Sequence, residues 1–342
     1  MLSTFVSTIG LMPLFLLFAF GIAVLGKSAD LLVEVATELA EKIGIPPLVI
    51  GATIVSLGTT LPEIVVSALA AAGGKPGIAL GNAVGSVICD TGLIMGIAIL
   101  LGNIPVRGPL ISRQANLQIV FPAVLIFLCA PNNWSQTLTQ GGHLSQKSGL
   151  ILVLALLCYL YLSYRWSQVI VDSSQDQAQD EKMGMQSFFL AAKMIIAAIL
   201  LILSSDLLVT CAAETARRFA VPEMVIAQSL VAFGTSLPEL VTAVTAVRRG
   251  QGELALGNII GADILNILGV VGIATAIQPA GLPVEAGFFS TSFPIMMLIL
   301  LVFRIGLFHA KQKGFIHKSV GILLLALYSL ITLSHWVGGT SS

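Results

Sequence analysis

The sequence predicts an all-α integral membrane protein of about ten transmembrane helices, arranged as two inverted five-helix repeats with interrupted helices 2 and 7 at the core. Three observations predict this fold class. Hydrophobic residues make up 56% of the 342-residue chain and charged residues only 10%, against about 25% charged in a soluble domain. Apolar stretches of about 20 residues, enough to cross a bilayer, recur along the chain. The two halves of the chain also repeat one another in sequence.

The apolar pattern predicts ten membrane spans. They lie at about residues 6–32, 47–71, 77–101, 113–131, 148–168, 187–213, 223–247, 254–277, 286–306 and 315–336. The first span is longer than the apolar core of a secretory signal peptide, and it begins without a basic segment. We therefore expect it to be retained as a membrane helix.

One polar segment, at about residues 169–186, interrupts the apolar pattern. It is rich in acidic residues, serine and glutamine, a composition typical of mobile linkers. We interpret it as the connection between a first five-helix repeat at 1–168 and a second at 187–342.

Lysine and arginine are unequally distributed when successive loops are assigned to alternate sides of the membrane. One side collects most of them, whereas the other holds only Lys75, Lys147, Arg217 and Arg218. Because cytoplasmic loops carry the excess of positive charge, the linker is predicted to be cytoplasmic and both termini extracytoplasmic. We expect a multi-pass protein of the cell (inner or plasma) membrane.

The remaining composition argues against several classes of protein. The formal net charge is zero at pH 7, so nothing indicates binding to nucleic acid. The four cysteines stand singly within apolar stretches and are interpreted as packing residues; they are Cys89, Cys129, Cys158 and Cys211. We expect a monomer surrounded by lipid that has no cofactor and is not an enzyme.

The internal repeat becomes visible when the chain is displaced against itself by about 176 residues. Residues 30–90 then align with 206–266 without a gap, and about 25 of 61 pairs are identical. GTTLPE at 58–63 aligns with GTSLPE at 234–239. Because each half holds an odd number of spans, the second copy must enter the membrane from the opposite side. Inverted repeats are common in secondary transporters, whose substrate site lies near the bilayer midplane.

Each GTxLPE motif places a proline in an apolar helix. Pro62 has no N–H, so the carbonyl of Gly58, four residues earlier, loses its usual partner, and Pro238 has the same effect on Gly234. Irregular backbone at membrane depth is tolerated where protein or a polar cavity satisfies it. A bound cation would satisfy these carbonyls.

Hydroxyl and carboxylate groups lie beside both prolines. A threonine precedes each glutamate by four residues, so a hydroxyl and a carboxylate share one helical face in each half. These pairs are Thr59 with Glu63 and Thr235 with Glu239, and Thr60 and Ser236 add further oxygens. Hard cations such as Ca²⁺ take about six to eight oxygen ligands of these kinds. The motifs therefore predict a cation site.

The helix after each motif carries a second polar pair. The pairs are Ser86 with Asp90 in the first half and Asp263 with Asn266 in the second. A carboxylate at the bilayer centre costs at least about 2.5–3.5 kcal/mol, and no basic residue is predicted at that depth to neutralise Glu63, Glu239 and Asp90. We interpret the missing positive charge as the transported ion. Asp263 is left out of the ligand set, since it could cap a helix or line a water path.

The paired motifs resemble those of the sodium/calcium exchangers of the calcium/cation antiporter superfamily, whose two alpha-repeats carry them. The alpha-1 motif corresponds to about 47–101 and the alpha-2 motif to about 223–277. The resemblance implies a site for Na⁺ and Ca²⁺ built from both halves. Its implied ligands are Glu63, Glu239, Asp90, Asn266, Thr59, Thr60, Thr235, Ser236 and Ser86, with the backbone carbonyls of Ser56 and Ala232.

The chain departs from the family pattern in the second polar pair. Many exchangers have asparagine in the first half and aspartate in the second where this chain has Asp90 and Asn266. The family's serine in the second GNxxGS segment is Ala262 here. The exchange of aspartate and asparagine between the halves leaves three carboxylates among the four central side chains, so their total charge is preserved. The division of the ligands between sodium and calcium sites is open.

The resemblance implies a secondary active antiporter that exchanges Na⁺ for Ca²⁺ by alternating access at a midplane site. An H⁺-coupled or K⁺-dependent cation exchanger is the alternative, although proton-coupled relatives carry an acidic residue where this chain has Gly85 and Gly261. An intramembrane aspartyl protease would leave the two symmetric glutamates unexplained. A passive channel is the remaining rival, and it would conduct Ca²⁺ without an opposing sodium gradient.

Overall fold

The structure, a computed structural model, describes residues 2–130, 137–171, 182–219 and 232–339. The helices in these ranges are α1 (Leu2–Thr8), α2 (Leu11–Ile43), α3 (Pro47–Thr59), α4 (Leu61–Ala72), α5 (Pro76–Leu101), α6 (Gly108–Cys129), α7 (Thr137–Gln140), α8 (Gln146–Val171), α9 (Lys182–Arg218), α10 (Ala232–Thr235), α11 (Leu237–Arg248), α12 (Gly252–Ala276), α13 (Phe288–Lys313) and α14 (Lys318–Gly339).

Several of these helices have the length and composition of membrane spans. Within the described residues, α2, α5, α6, α8, α9, α12 and α13 qualify singly, and the bent pair α3–α4 makes an eighth candidate. Helix α14 contains a shorter apolar stretch, Lys318–Thr332. The predicted span at 223–247 lies partly outside the described residues. These helices confirm a multi-pass helical membrane protein, and the arrangement of ten spans in two inverted repeats stays a prediction.

Helix α12 occupies the centre of the molecule. Of its most apolar stretch, 89% is buried inside the protein, against 22% for α2. Large apolar side chains on the outer helices instead point away from the protein, such as Leu154 and Leu203. Lipid tails are as apolar as these side chains, so helix association in the membrane depends on close packing rather than on the hydrophobic effect. The buried central helix is therefore the scaffold against which the site is assembled.

Helix α2 is longer than its apolar pattern predicts. It continues from the predicted end near residue 32 to Ile43 and stops at Gly44, which has a positive φ of 69°. Hydropathy detects only the part of a helix that lies in lipid, and the polar last turns continue beyond it. Arg249, which follows α11, pairs there with Asp30 at 3.0 Å and Glu34 at 3.2 Å.

Helices also extend into both ends of the predicted linker at 169–186. Helix α8 reaches Val171 and α9 begins at Lys182. Residues 172–181 lie outside the described part of the chain. The connection between these two helices is therefore shorter than the polar composition predicts.

A small antiparallel sheet joins the two halves of the chain and was not predicted. Strand β1 (Gly142–Leu144) pairs with β2 (Leu282–Val284), with Gly142 opposite Val284. The ring of His143 lies 2.7 Å from the carbonyl of Ala280 beside it. Three-residue strands are too short to show an alternating pattern in the sequence.

Candidate cation site

The two GTxLPE motifs lie at helix breaks. Helix α3 ends at Thr59 and α4 begins at Leu61, with a bend of 46°. In the second half α10 ends at Thr235 and α11 begins at Leu237. Both prolines occupy the first turn of the new helix, where a missing N–H has no cost. Interrupted helices were predicted here, and each proline begins the helix that follows the break.

The carbonyl of Gly234, predicted to lack a partner, has one. Ser205 on α9 donates its hydroxyl to this carbonyl at 3.1 Å. The glycines of the motifs also have a packing role. A Cβ at Gly234 would overlap the side chain of Val209, and one at Gly58 would lie 3.2 Å from the Cβ of Ala198. Both glycines therefore let α9 lie close against the two breaks.

The breaks bring the two motif glutamates together. Glu63 and Glu239 are each 1% exposed. Thr60 of the first motif donates a hydrogen bond of 3.3 Å to Oε1 of Glu239, and Thr235 of the second motif interacts with Glu63. The two carboxylates also lie within electrostatic range of each other. Each glutamate is therefore approached by a hydroxyl from the opposite half.

Asp90 and Asn266, one from each half of the chain, also meet, and Asp90 lies within electrostatic range of both motif glutamates. Asn266 donates its side-chain N–H to Oδ2 of Asp90 at 3.5 Å, and both residues are buried. Asp90 begins a π-helical turn that continues to Ile94, and Asn266 begins one that continues to Val271. Short π-helical segments within α-helices are frequent at functional sites. Ser86, one turn before Asp90 on α5, is also buried.

The two predicted carbonyl ligands lie just before the breaks. The carbonyl of Ser56 accepts hydrogen bonds from the backbone N–H of Thr60 at 2.9 Å and from the hydroxyl of Thr59 at 3.3 Å. An ion that bound this carbonyl would have to displace one of these donors. Ala232 is the first residue of α10.

Many buried oxygens of this cluster lie beyond ordinary hydrogen-bond distance of any donor within the described residues. They are both Oε atoms of Glu63, Oε2 of Glu239, Oδ1 of Asp90, Oδ1 of Asn266 and Oγ of Ser236. Buried polar atoms in proteins are nearly always hydrogen-bonded. No lysine, arginine or histidine is buried in the described part of the chain. The arrangement therefore leaves negative charge and free oxygen ligands that suit a cation.

The carboxylates are spread over the cluster rather than gathered at one point. No three His, Cys, Asp or Glu side chains among the described residues converge as a metal site. An ion in this cluster would therefore take one or two carboxylates, together with hydroxyl, amide and carbonyl oxygens. This mixture is typical of sites for hard cations.

Two asparagines outside the predicted ligand set support the breaks. Asn82 donates to the backbone carbonyl of Glu63 at 3.4 Å and to the hydroxyl of Ser67 at 3.0 Å. Asn258 accepts a hydrogen bond of 3.4 Å from Thr59. Both asparagines end identical ALGN segments, at 79–82 and 255–258, and from the sequence they are expected either to bond freed backbone or to contribute to the site.

Tyr159 on α8 supports the backbone that leads into the first motif. Its hydroxyl lies 3.0 Å from the carbonyl of Ala52 and 2.9 Å from Oε1 of Gln114. Ala52 belongs to a π-helical turn, Gly51–Val55, directly before Ser56. Sequence reasoning missed Tyr159 because α8 lies outside the repeated segments and its tyrosine has no signature there.

Tyr159→Phe is expected to destabilise the protein by about 1–3 kcal/mol, because a buried carbonyl and amide lose their shared donor. A lower midpoint of thermal unfolding in detergent would show this. Tyr161→Phe on the same helix is the matched control, because Tyr161 is 58% exposed. Equal midpoints for the two variants would contradict the supporting role of Tyr159.

Known proteins resemble this chain over nearly its whole length. Residues 13–165 and 189–337 match the family described as sodium/calcium exchanger protein. The chain is 31% identical to the inner membrane protein YrbG of Escherichia coli over 326 residues, which cover 93% of this chain and 95% of that protein. It is 30% identical to the sodium/calcium exchanger MaX1 of Methanosarcina acetivorans over 355 residues, covering 92% and 96%.

The fold likewise resembles a solved structure. The sodium-calcium exchanger NCX_Mj, soaked with Na⁺ and Sr²⁺, superposes with a TM-score of 0.79 at 27% identity, covering 95% of this chain and 99% of that one. That structure is described as showing extracellular ion exchange and induced binding-site occlusion. The likeness in sequence and the likeness in fold therefore each cover more than nine tenths of the chain.

Proposed function

Because this chain belongs to the sodium/calcium exchanger family, a family of cation antiporters rather than enzymes, we propose that it exchanges Na⁺ for Ca²⁺ across the cell membrane. One observation carries the proposal. Glu63 and Glu239 come from the two copies of one motif, are each 1% exposed and keep oxygens without donors. Such a pair at membrane depth requires positive charge, and the transported ions supply it.

The proposed ligands are those that the sequence suggested, drawn from both halves. Glu63 and Glu239 lie at the centre, and Asp90 and Asn266 lie beside them. The remaining proposed ligands are Thr59, Thr60, Thr235, Ser236 and Ser86, with the carbonyls of Ser56 and Ala232. The cross-contact of Thr60 with Glu239 supports a single site shared by the two motifs rather than one site in each half.

The proposed architecture is ten spans in two inverted repeats, at 1–168 and 187–342, with both termini extracytoplasmic. The breaks at Thr60 and Ser236 support it, because repeat-equivalent positions interrupt their helices in the same way. So do the matching π-helical turns that begin at Asp90 and Asn266. The chain acts as a monomer in lipid in this proposal.

Alternating access would use α2 and α9, which pack along one another. A Cβ at Gly21 of α2 would lie 3.0 Å from the side chain of Leu208 on α9, and Val209 on α9 contacts Gly234 at the second break. A shift of this helix pair would therefore open or cover the cluster. Because an empty cluster holds several uncompensated carboxylates, we expect the shift to be favourable only when Ca²⁺ or Na⁺ neutralises them.

The tight packing around Gly261 supports sodium rather than proton coupling. A Cβ at Gly261 would lie 2.5 Å from the carbonyl oxygen of Ala52 and 2.6 Å from Oγ of Ser56. No real Cβ approaches backbone this closely, so an acidic residue at this position would displace the helix before the first motif. The chain therefore has no room for an acid at Gly261, whereas a Cβ at Gly85, the other position where proton-coupled relatives carry one, would meet nothing within 4 Å.

The coupling ion is tested with purified protein in proteoliposomes. We expect ⁴⁵Ca²⁺ uptake when the lumen contains Na⁺ and the bath does not, and no uptake when a pH gradient or a K⁺ gradient replaces the sodium gradient. Uptake driven only by the pH gradient would contradict sodium coupling. Uptake without any opposing cation gradient would identify a channel.

Asn266→Asp is expected to change the ion dependence of transport, because it adds a carboxylate beside Asp90. The added charge should raise the apparent affinity for Ca²⁺ relative to Na⁺, since the divalent ion gains twice the Coulomb energy. The measurement is the Na⁺ concentration in the bath that halves ⁴⁵Ca²⁺ uptake by competition. We expect this concentration to be higher for Asn266→Asp than for the wild type. An unchanged value would show that Asn266 is not a ligand.

A further inference from the structure

A groove between α13 and α14 shares no residue with the carboxylate cluster. Its volume is about 520 Å³, within the range of ligand pockets, about 300–1,000 Å³. Gly306 of α13 and Val320 of α14 both line it, and a Cβ at Gly306 would lie only 2.6 Å from the side chain of Val320. The groove therefore lies over the point where the two helices cross at close range.

The walls of the groove are apolar and continue onto the lipid-facing surface. Ile305 and Leu323 line it, and their side chains are 57% and 49% exposed. Exposed apolar side chains on membrane helices lie against lipid tails, which are equally apolar. An acyl chain can therefore enter the groove from the bilayer.

One end of the groove is polar. Lys313, His317 and Ser319 line it there, at the connection between α13 and α14. The backbone N–H of Ser319 donates to Nδ1 of His317 at 3.3 Å, so the neutral ring carries its proton on Nε2, because the hydrogen bond made by one ring nitrogen sets the state of the other. A lysine ammonium, an imidazole N–H and a serine hydroxyl are donors that suit a phosphate group.

The connection that carries this polar end is held in place by the loop between α5 and α6. The backbone N–H of Ile316 donates to the carbonyl of Ile104 at 3.1 Å, and the N–H of Val106 donates to the carbonyl of Gly314 at 3.0 Å. The polar end therefore has a fixed position relative to the apolar walls.

The charge around the groove is positive. Residues 286–342 contain no aspartate or glutamate, and their lysines and arginines are Arg304, Lys311, Lys313 and Lys318. The guanidinium of Arg304 donates to Oδ1 of Asn116 on α6 at 2.8 Å. Lys313 forms no salt bridge with a carboxylate in the described ranges. Its charge is therefore available to an anion in the groove.

An apolar groove with a cationic end matches the chemistry of an anionic phospholipid. Basic pockets between transmembrane helices on the cytoplasmic side bind anionic lipid head groups, and the proposed orientation places this end of α13 and α14 at the cytoplasmic face. We propose that the groove binds an anionic phospholipid, with an acyl chain against Ile305 and Leu323 and the phosphate at Lys313 and His317. The site goes beyond the proposed exchange and takes no part in holding the transported ions.

Native mass spectrometry of the delipidated full chain tests the preference for negative charge. Phosphatidylglycerol and phosphatidylcholine with identical acyl chains are titrated separately, and the affinity of the first bound lipid is measured. We expect phosphatidylglycerol to bind the wild type about fivefold more tightly, the effect of one cationic side chain on an anionic lipid, and Lys313→Gln to lose this preference. Lys311→Gln is the matched control, because Lys311 is exposed on the same helix and does not line the groove. Equal affinities of the wild type for the two lipids, or equal losses in the two variants, would overturn the proposal.

Photochemical labelling tests the position of the lipid. The wild type in phosphatidylcholine nanodiscs that contain a photoactivatable phosphatidylglycerol should be labelled within residues 302–323. Leu323→Trp should fill the groove and reduce this labelling severalfold, whereas Ile322→Trp, at a neighbouring exposed position that does not line the groove, should not. Labelling confined to other segments, or equal labelling of the two variants, would contradict the site. Loss of labelling in excess inorganic phosphate would assign the polar end to free phosphate and overturn the lipid proposal. Neither measurement depends on transport, so a failure of Na⁺-driven Ca²⁺ uptake would leave this site to be decided separately.

Discussion

Glu63→Gln or Glu239→Gln is expected to reduce Na⁺-driven Ca²⁺ uptake by about 100-fold or more. Each glutamate is buried at a helix break and has oxygens without donors, so in the proposed site its charge is balanced by the bound ion. Removing one member of a buried charge pair costs about 2–5 kcal/mol, and each 1.4 kcal/mol is a tenfold effect. Glutamine keeps the shape of the side chain but loses the charge.

The same substitutions should leave the protein folded. In the absence of ions the carboxylates of Glu63 and Glu239 interact with one another, and removal of one charge relieves their repulsion. We expect the midpoint of thermal unfolding without ions to be equal to or above that of the wild type. Glu41→Gln serves as the control for loss of one acidic charge far from the cluster. Normal uptake by either site variant would show that its glutamate is not a ligand.

Gly257→Ala is expected to prevent most of the protein from folding. Helix α12 packs directly against the backbone of α3, and a Cβ at Gly257 would overlap the carbonyl of Leu48. The contact is mutual, since a Cβ at Gly51 on α3 would overlap the carbonyl of Leu254. Overpacking a core costs about 1–3 kcal/mol or more. The cost is expected to be high here, because the added methyl group would meet backbone, which moves aside less easily than a side chain.

The yield of monodisperse protein in size-exclusion chromatography measures this effect. Gly26→Ala on α2 is the matched control, because no described atom lies within 4 Å of a Cβ there. We expect the control to elute like the wild type and Gly257→Ala to aggregate. Equal elution of the two variants would mean that α12 can move away from α3 at little cost.

Much of the arrangement could be predicted from the repeated motifs. The two glutamates were predicted from their place in the GTxLPE motifs, and the structure brings both motifs to one buried position. The pairing of Asp90 with Asn266 is what the proposed inverted repeat predicts as well, because equivalent residues of two inverted copies would meet near their common axis. The breaks were predicted from the prolines, and Pro62 and Pro238 lie in the first turn of the helices that follow the breaks.

The remaining features depend on contacts that no local pattern records. Asp263 is positioned by Gln118, which lies on α6 outside the repeated segments, and the pair is 145 residues apart in the chain. Ser205 reaches the carbonyl of Gly234 only because α9 packs on the second break. The polar end of α2 and the short β-strands lie outside the lipid-facing pattern, so hydropathy does not detect them.

The most direct test of the central claim, one shared carboxylate cluster for both ions, is to follow ⁴⁵Ca²⁺ entry and ²²Na⁺ exit in the same proteoliposomes. We expect the two fluxes to begin together, each to require the other ion on the opposite side, and both to disappear in Glu63→Gln and in Glu239→Gln. Continued movement of one ion without the other, in the wild type or in either variant, would contradict a shared site.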